Sequence, residues 1–194
     1  MDLFLTPASI SFIAQTILFL GITAYLIIMN NRTKANYWLA GFFTVMVASS
    51  LAGFVGVSSL GWYEYAYHIH TALVVVAMSL LIQFAYNFPE NNPAQKNESR
   101  IVLWVSVALS LLALATTVFH VLQLEYFARN SFVPVLIQVI QIIELIWVIG
   151  VLIKLTANIT INPSEESWWQ RFRHPQGRSA RASRGFSLAL MGML

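Results

Sequence analysis

Five long runs of mainly apolar residues constrain this chain more than any other feature of its sequence. A helix needs about 20 such residues to cross a hydrocarbon core of about 30 Å. All five runs reach that length, and the spans they predict are residues 7–29, 37–60, 67–88, 101–123 and 132–155. Only 10% of the residues are charged, against about 25% in a typical soluble domain. The sequence therefore predicts an all-α polytopic membrane helix bundle, with residues 1–194 forming a single membrane domain.

A sixth apolar run begins at residue 185 and extends to residue 194, where the sequence ends. A helix of about ten residues covers only about 15 Å, which is half of a bilayer core. We interpret this run as a partial sixth span, the opening of an ordinary span that is truncated here. A half-helix packed among the other spans is the alternative.

The basic residues lie almost entirely in alternate loops, which predicts the orientation. Of the 11 Lys and Arg residues, only Arg129 falls in a loop on the opposite side. The others are Arg32, Lys34, Lys96, Arg100, Lys154, Arg171, Arg173, Arg178, Arg181 and Arg184. Because Lys and Arg accumulate in cytoplasmic loops, we expect a multi-pass protein of the plasma or inner membrane with its N-terminus outside.

Residues 156–183 are predicted to form a basic cytoplasmic loop. Within it, Asn162, Pro163 and Glu165 follow the pattern of a helix start, and residues 166–173 are expected to form a short interfacial helix. The arginines would contact anionic lipid headgroups, at about 1 kcal/mol for each basic residue near the surface. Simple positive-inside anchoring is one interpretation of this loop, and a lever that reports helix movement to a cytoplasmic partner is the other.

Glu144 is the one carboxylate placed deep in a predicted span. Ionisable groups are costly inside a membrane, so this position is a candidate binding site. Gln138 and Gln141 precede it at spacings of three, which puts the three side chains on one helix face. Without a cation, a carboxyl at that depth is expected to be mostly protonated. The stripe is either a hydrogen-bonded clamp, with Glu144 bonded to Gln15, Gln83 or a serine, or a ligand or proton site.

Histidines at the predicted outer boundary form a second candidate site. His68 and His70 open the third span and His120 closes the fourth, so His70 and His120 are expected to converge. They would form a ligand- or pH-sensing pocket, unless they are interfacial residues without a special role. A metal site needs three or four ligands in a fixed geometry, which this spacing does not set. The chain has no cysteine, and no metal or other cofactor is predicted.

No enzymatic activity is expected from the sequence. It contains no glycine-rich phosphate loop, no nucleophile with a partnered base and no paired carboxylates. Nucleic-acid binding is also not expected, because the net charge of +3 is concentrated in membrane-flanking loops.

Three short stretches are similar to a known group of membrane proteins. They are residues 4–12 (FLTPASISF), 38–43 (WLAGFF) and 83–89 (QFAYNFP). Together they resemble the N-terminal seven-transmembrane-helix sensory region of bacterial signalling proteins, which is fused to a histidine kinase, cyclase or phosphatase. The resemblance implies a signal-input domain without catalytic activity of its own. The expected partners are the lipid bilayer and a cytoplasmic signalling domain or a homodimer partner. A small transporter or an accessory subunit of a membrane complex is the alternative.

Overall fold

The structure is a computed structural model that describes residues 4–29, 33–59, 61–88, 95–121, 132–159 and 167–192. Within these residues, every element of regular secondary structure is a helix. They are α1 (Pro7–Ile28), α2 (Lys34–Ser58), α3 (Tyr63–Asn87), α4 (Lys96–Val121), α5 (Phe132–Ile159), α6 (Trp168–Arg173) and α7 (Arg178–Met191). Helices α1 to α5 are long and apolar enough to cross a membrane. This confirms the predicted all-α bundle of five spans and indicates a multi-pass membrane protein.

Reciprocal capping contacts fix two of the helix starts. At α1, Ser9 N donates to Thr6 Oγ1 at 3.1 Å and Thr6 N donates to Ser9 Oγ at 2.7 Å, with Pro7 as the first helical residue. At α6, Ser167 and Gln170 exchange the same pair of bonds. Each pair satisfies backbone groups that a helix end would otherwise leave without partners.

Helix α3 lies at the centre of the bundle. It packs against α2, α4 and α5, and 61% of its most apolar stretch is buried, against 17–33% in the other four spans. Its last turns are enclosed on all sides, since Gln83, Phe84, Ala85 and Tyr86 are all buried. The polar groups of α3 are therefore the natural partners of the helices around it.

Helices α1 and α2 approach closely at a glycine. A Cβ atom added at Gly53 would lie 2.5 Å from Cε1 of Phe12, so a side chain at position 53 would displace the ring. Further along α2, a Cβ at Gly56 would lie 3.0 Å from the Cβ of Ala66 on α3. Small residues at these two positions let α2 contact both neighbours at short range.

Large apolar side chains cover the outside of the spans. Ile17 of α1, Leu111 of α4 and Ile146 of α5 are each more than half exposed. A soluble protein rarely exposes apolar surface of this extent. These faces are the surfaces on which lipid chains contact the bundle.

The segment predicted as a basic loop, residues 156–183, contains much helix. Helix α5 continues to Ile159, α6 forms within the segment, and α7 begins at Arg178, before the apolar run at residue 185. Hydropathy marks the part of a helix that meets lipid, and polar residues extend helices beyond it. The helix start predicted at residues 162–165 lies outside the described residues.

Helix α7 packs against α5. Its contact face carries small residues, Ala180, Ser183 and Ser187, and all three are fully buried. Phe186 reaches α3, where its ring centroid lies 5.4 Å from that of Phe84. Helix α7, which includes the start of the apolar run at residue 185, therefore lies beside the ends of α3 and α5.

Candidate functional site

The polar stripe of α5 faces α3. Gln138 Nε2 donates to the hydroxyl of Tyr67 at 3.1 Å, and Gln141 Nε2 donates to the carbonyl of Thr71 at 3.0 Å. Glu144, the third member of the stripe, also contacts α3, so the three predicted site residues share one neighbouring helix. Gln138 is exposed, Gln141 is half-buried and Glu144 is buried, so the stripe leads inward along the bundle.

Glu144 is 3% exposed and lies where α3, α4 and α5 meet. Its Oε1 atom accepts a hydrogen bond from Ser79 Oγ at 3.1 Å. The same Ser79 hydroxyl lies 3.3 Å from the carbonyl of Ser106 and 3.0 Å from Oγ of Ser110, both on α4. We refer to Ser79, Ser106, Ser110 and Glu144 as the carboxyl cluster. It joins three helices through a single hydroxyl group.

The second carboxyl oxygen, Glu144 Oε2, is buried and has no hydrogen-bond partner among the described residues. Leaving such an atom unpaired in a dry interior costs free energy. Within the same residues, no Lys, Arg or His nitrogen lies within 4.0 Å of this carboxyl group. Within the described part of the chain, the cluster therefore contains an acid with an open position and no counter-ion.

The structure separates the predicted histidine site from the carboxyl cluster. His70 lies against α2 and α1: its Nδ1 atom is 2.9 Å from Ser49 Oγ, and its ring packs edge-on against Phe12 at a centroid distance of 5.8 Å. A cavity of about 240 Å³ adjoins it, lined by Phe12, Gly53, Gly56, Val57, Tyr63, Tyr67 and His70. The side chain of His120 lies outside the described residues, so its predicted convergence with His70 stays a prediction.

A third polar group, which sequence reasoning did not assemble, lies at the opposite end of the spans from His70. Lys154 Nζ contacts Glu98 Oε2 at 3.1 Å, and the hydroxyl of Tyr86 donates to Glu98 Oε1 at 2.8 Å. The indole N–H of Trp147 in turn donates to the Tyr86 hydroxyl at 3.2 Å. The one sequence signal was the predicted topology, which places the end of α3, the start of α4 and the end of α5 on the same side.

Among the described residues, no group of three or more His, Asp or Glu side chains is placed to hold a metal ion. Comparisons with protein-family models, curated proteins and solved structures find no match to this chain. The carboxyl cluster is the best candidate site, because it combines deep burial, an unpaired acid oxygen and contacts to three helices.

Proposed function

We propose that this chain is a membrane-embedded signal-input domain in which the protonation state of Glu144 sets the arrangement of α3, α4 and α5. The observation that carries the proposal is the buried, unpaired Oε2 atom of Glu144 within the carboxyl cluster. Intramembrane carboxyl groups of this kind mark proton relays and ligand sites.

The chemistry of Ser79 provides two arrangements. Its hydroxyl has one proton and three acceptors within 3.3 Å. When Glu144 is ionised, the Ser79 hydroxyl donates its hydrogen bond to the carboxylate and so links α3 to α5. When Glu144 is protonated, its own O–H can donate to Ser79, and the serine proton can turn to Ser106 or Ser110 on α4. Protonation thus keeps the α3–α5 hydrogen bond, with its direction reversed, and adds a hydrogen bond from Ser79 across the α3–α4 contact.

A route from the cluster toward the cytoplasm supports the proposal. Leu152 lies on α5 about 12 Å from Glu144 along the helix axis. Its carbonyl accepts a hydrogen bond from Ser183 Oγ of α7 at 2.9 Å. A rotation or shift of α5 would therefore also displace α7. We infer that this end of the bundle is cytoplasmic, with the N-terminus outside, because the basic residues collect there.

The test uses distances between spin labels, which is practical because the chain has no native cysteine. The reporting pair is I101C on α4 and R181C on α7, both exposed positions. The reference pair is I28C on α1 with L51C on α2, both exposed and both on helices outside the carboxyl cluster. Distances are measured in lipid nanodiscs from about pH 5 to about pH 8, a range in which histidines also titrate.

We expect the I101C–R181C distance to change with pH in the parent, and to stay at its low-pH value at every pH in E144Q, whose amide cannot ionise. The H70Q variant is the matched control and should keep the response, while the I28C–L51C distance should stay constant. A parent distance that does not change with pH, or a response that persists in E144Q, would overturn the proposal.

A small proton-coupled transporter is the second candidate, favoured by the same buried carboxyl group. A transporter moves protons across the membrane, whereas a signal-input domain does not. Proteoliposomes containing the purified chain and a pH-sensitive dye report proton movement under an imposed gradient. Flux that depends on Glu144 would favour the transporter, whereas a helix response without flux would favour the input domain.

A further inference from the structure

A groove runs along the outside of the bundle between α4 and α5. Its volume is about 380 Å³, and it is lined mainly by Glu98 of α4 and by Ile143, Ile146, Trp147, Gly150 and Lys154 of α5. From Lys154 to Ile143 the α5 axis advances about 16 Å, close to half the thickness of a hydrocarbon core. The groove is therefore long enough to match one leaflet, with charges near the helix ends and apolar side chains toward the middle of α5.

The charged end of the groove carries both signs in accessible positions. The side chains of Lys154 and Glu98 contact each other at 3.1 Å, yet they are 51% and 41% exposed. Tyr86 and Trp147 hold Glu98 in place through the chain of hydrogen bonds described above. Among the described residues Lys154 makes only this one polar contact, which leaves further N–H donors for a ligand.

The apolar end of the groove can accommodate an acyl chain. Ile143 and Ile146 are each more than half exposed and form its wall. Gly150 keeps the passage open between this wall and the charged pair, since a Cβ atom added there would meet nothing within 4 Å. A ligand with a charged head and an apolar tail therefore matches the charged and apolar ends of the groove.

We propose that the groove binds a zwitterionic phospholipid whose headgroup ends in a primary ammonium, as in phosphatidylethanolamine. The phosphate would take the free donors of Lys154, the ammonium would donate to Glu98, and one acyl chain would lie along Ile143 and Ile146. The anionic headgroup of phosphatidylglycerol brings no positive charge to Glu98, only neutral hydroxyl groups. A choline headgroup has no N–H to donate to that carboxylate. The site is separate from Glu144 and does not depend on the proposed function.

The test measures lipid retention by native mass spectrometry, with the full chain exchanged against phosphatidylethanolamine, phosphatidylglycerol or phosphatidylcholine of identical acyl chains. We expect the ethanolamine lipid to be retained about tenfold more tightly than the other two. G150L should fill the groove and reduce this retention about tenfold. G21L on α1 is the matched control, because a Cβ there also meets nothing within 4 Å, and it should have no effect.

The charge variants test the headgroup assignment. E98Q should remove the preference for ethanolamine over choline, while K154Q should weaken retention of both lipids. Equal retention of the three lipids by the parent, or a stronger retention of phosphatidylglycerol, would overturn the proposal. So would equal losses in G150L and G21L. Because E98Q and K154Q alter only accessible side chains, they test the assignment even if G150L fails to fold.

Discussion

The hydroxyl of Ser183 donates a 2.9 Å hydrogen bond to the carbonyl of Leu152, and so joins α7 to α5 through two fully buried residues. Leu152 already accepts a bond from Thr156 Oγ1 at 2.8 Å, so its carbonyl serves α5 and α7 together. The contact depends on a small side chain at position 183, because no space remains around it.

This contact makes the docking of α7 testable. S183L should force α7 away from α5, at a cost of about 1–3 kcal/mol for overpacking a closed site. Undocking would let the backbone beside Arg181 and Arg184 unfold locally, so tryptic cleavage of α7 should accelerate. A182L, on the exposed face of the same helix, should leave the cleavage rate unchanged. If both variants are cut at the parent's rate, α7 does not depend on this contact.

Stability of the carboxyl cluster should depend on Ser79 more than on the charge of Glu144. S79A removes the donor to Glu144 and should reduce the free energy of unfolding by about 0.6–1.7 kcal/mol, the range measured for hydrogen bonds between membrane helices. E144Q should be nearly silent in the same measurement, since its amide oxygen still accepts from Ser79. Steric-trap unfolding in bilayer discs measures both variants. A large loss in E144Q with none in S79A would contradict this ordering.

The close approach of α1 and α2 predicts a rescue. G53A should destabilise the α1–α2 contact by about 1–3 kcal/mol, because its methyl group would overlap the ring of Phe12. In the double variant F12A/G53A the overlap is gone, so the second substitution should restore part of the loss. Unfolding free energies of the two single variants and the double variant give the coupling. If the losses of the two single variants simply add in the double variant, the Phe12 ring moves aside at no cost in free energy and the predicted overlap is wrong.

The proposed orientation has its own test. A reporter that is active only in the cytoplasm should work when fused after Leu155 and fail when fused after Gln123, because the distribution of basic residues predicts that these two positions lie on opposite sides. A reporter that is active only outside the cytoplasm should give the inverse pattern at the same positions. The matched pair of reporters separates a wrong orientation from a fusion that is not expressed.

The architecture was predictable because lipid imposes a simple requirement: a span must be long, apolar and helical. The helix ends were less predictable. Helices α2, α4 and α7 begin at Lys34, Lys96 and Arg178, basic residues that hydropathy assigns to loops. Backbone hydrogen bonding continues wherever the residues tolerate a helix, so these ends extend past the lipid-facing stretch.

The candidate site was predictable only in part. Spacing placed Gln138, Gln141 and Glu144 on one face, and the cost of exposing them to lipid required that face to point inward. Their partners were not predictable, because choosing Ser79 among many serines requires the rotation and depth of α3 and α5. Glu98 and Lys154 are separated by 56 residues in sequence, and only the packed helices bring them together.

The polar stripe of α5 contacts a helix that is synthesised before it. All three contacts described for the stripe lead from α5 back to α3, through Tyr67, Thr71 and Ser79. A chain emerges from the ribosome N-terminus first, so these partners are synthesised before the residues that need them. The most polar face of α5 can thus enter the bilayer beside a helix already able to receive it. Biogenesis would be hardest for a circularly permuted chain in which α5 precedes α3.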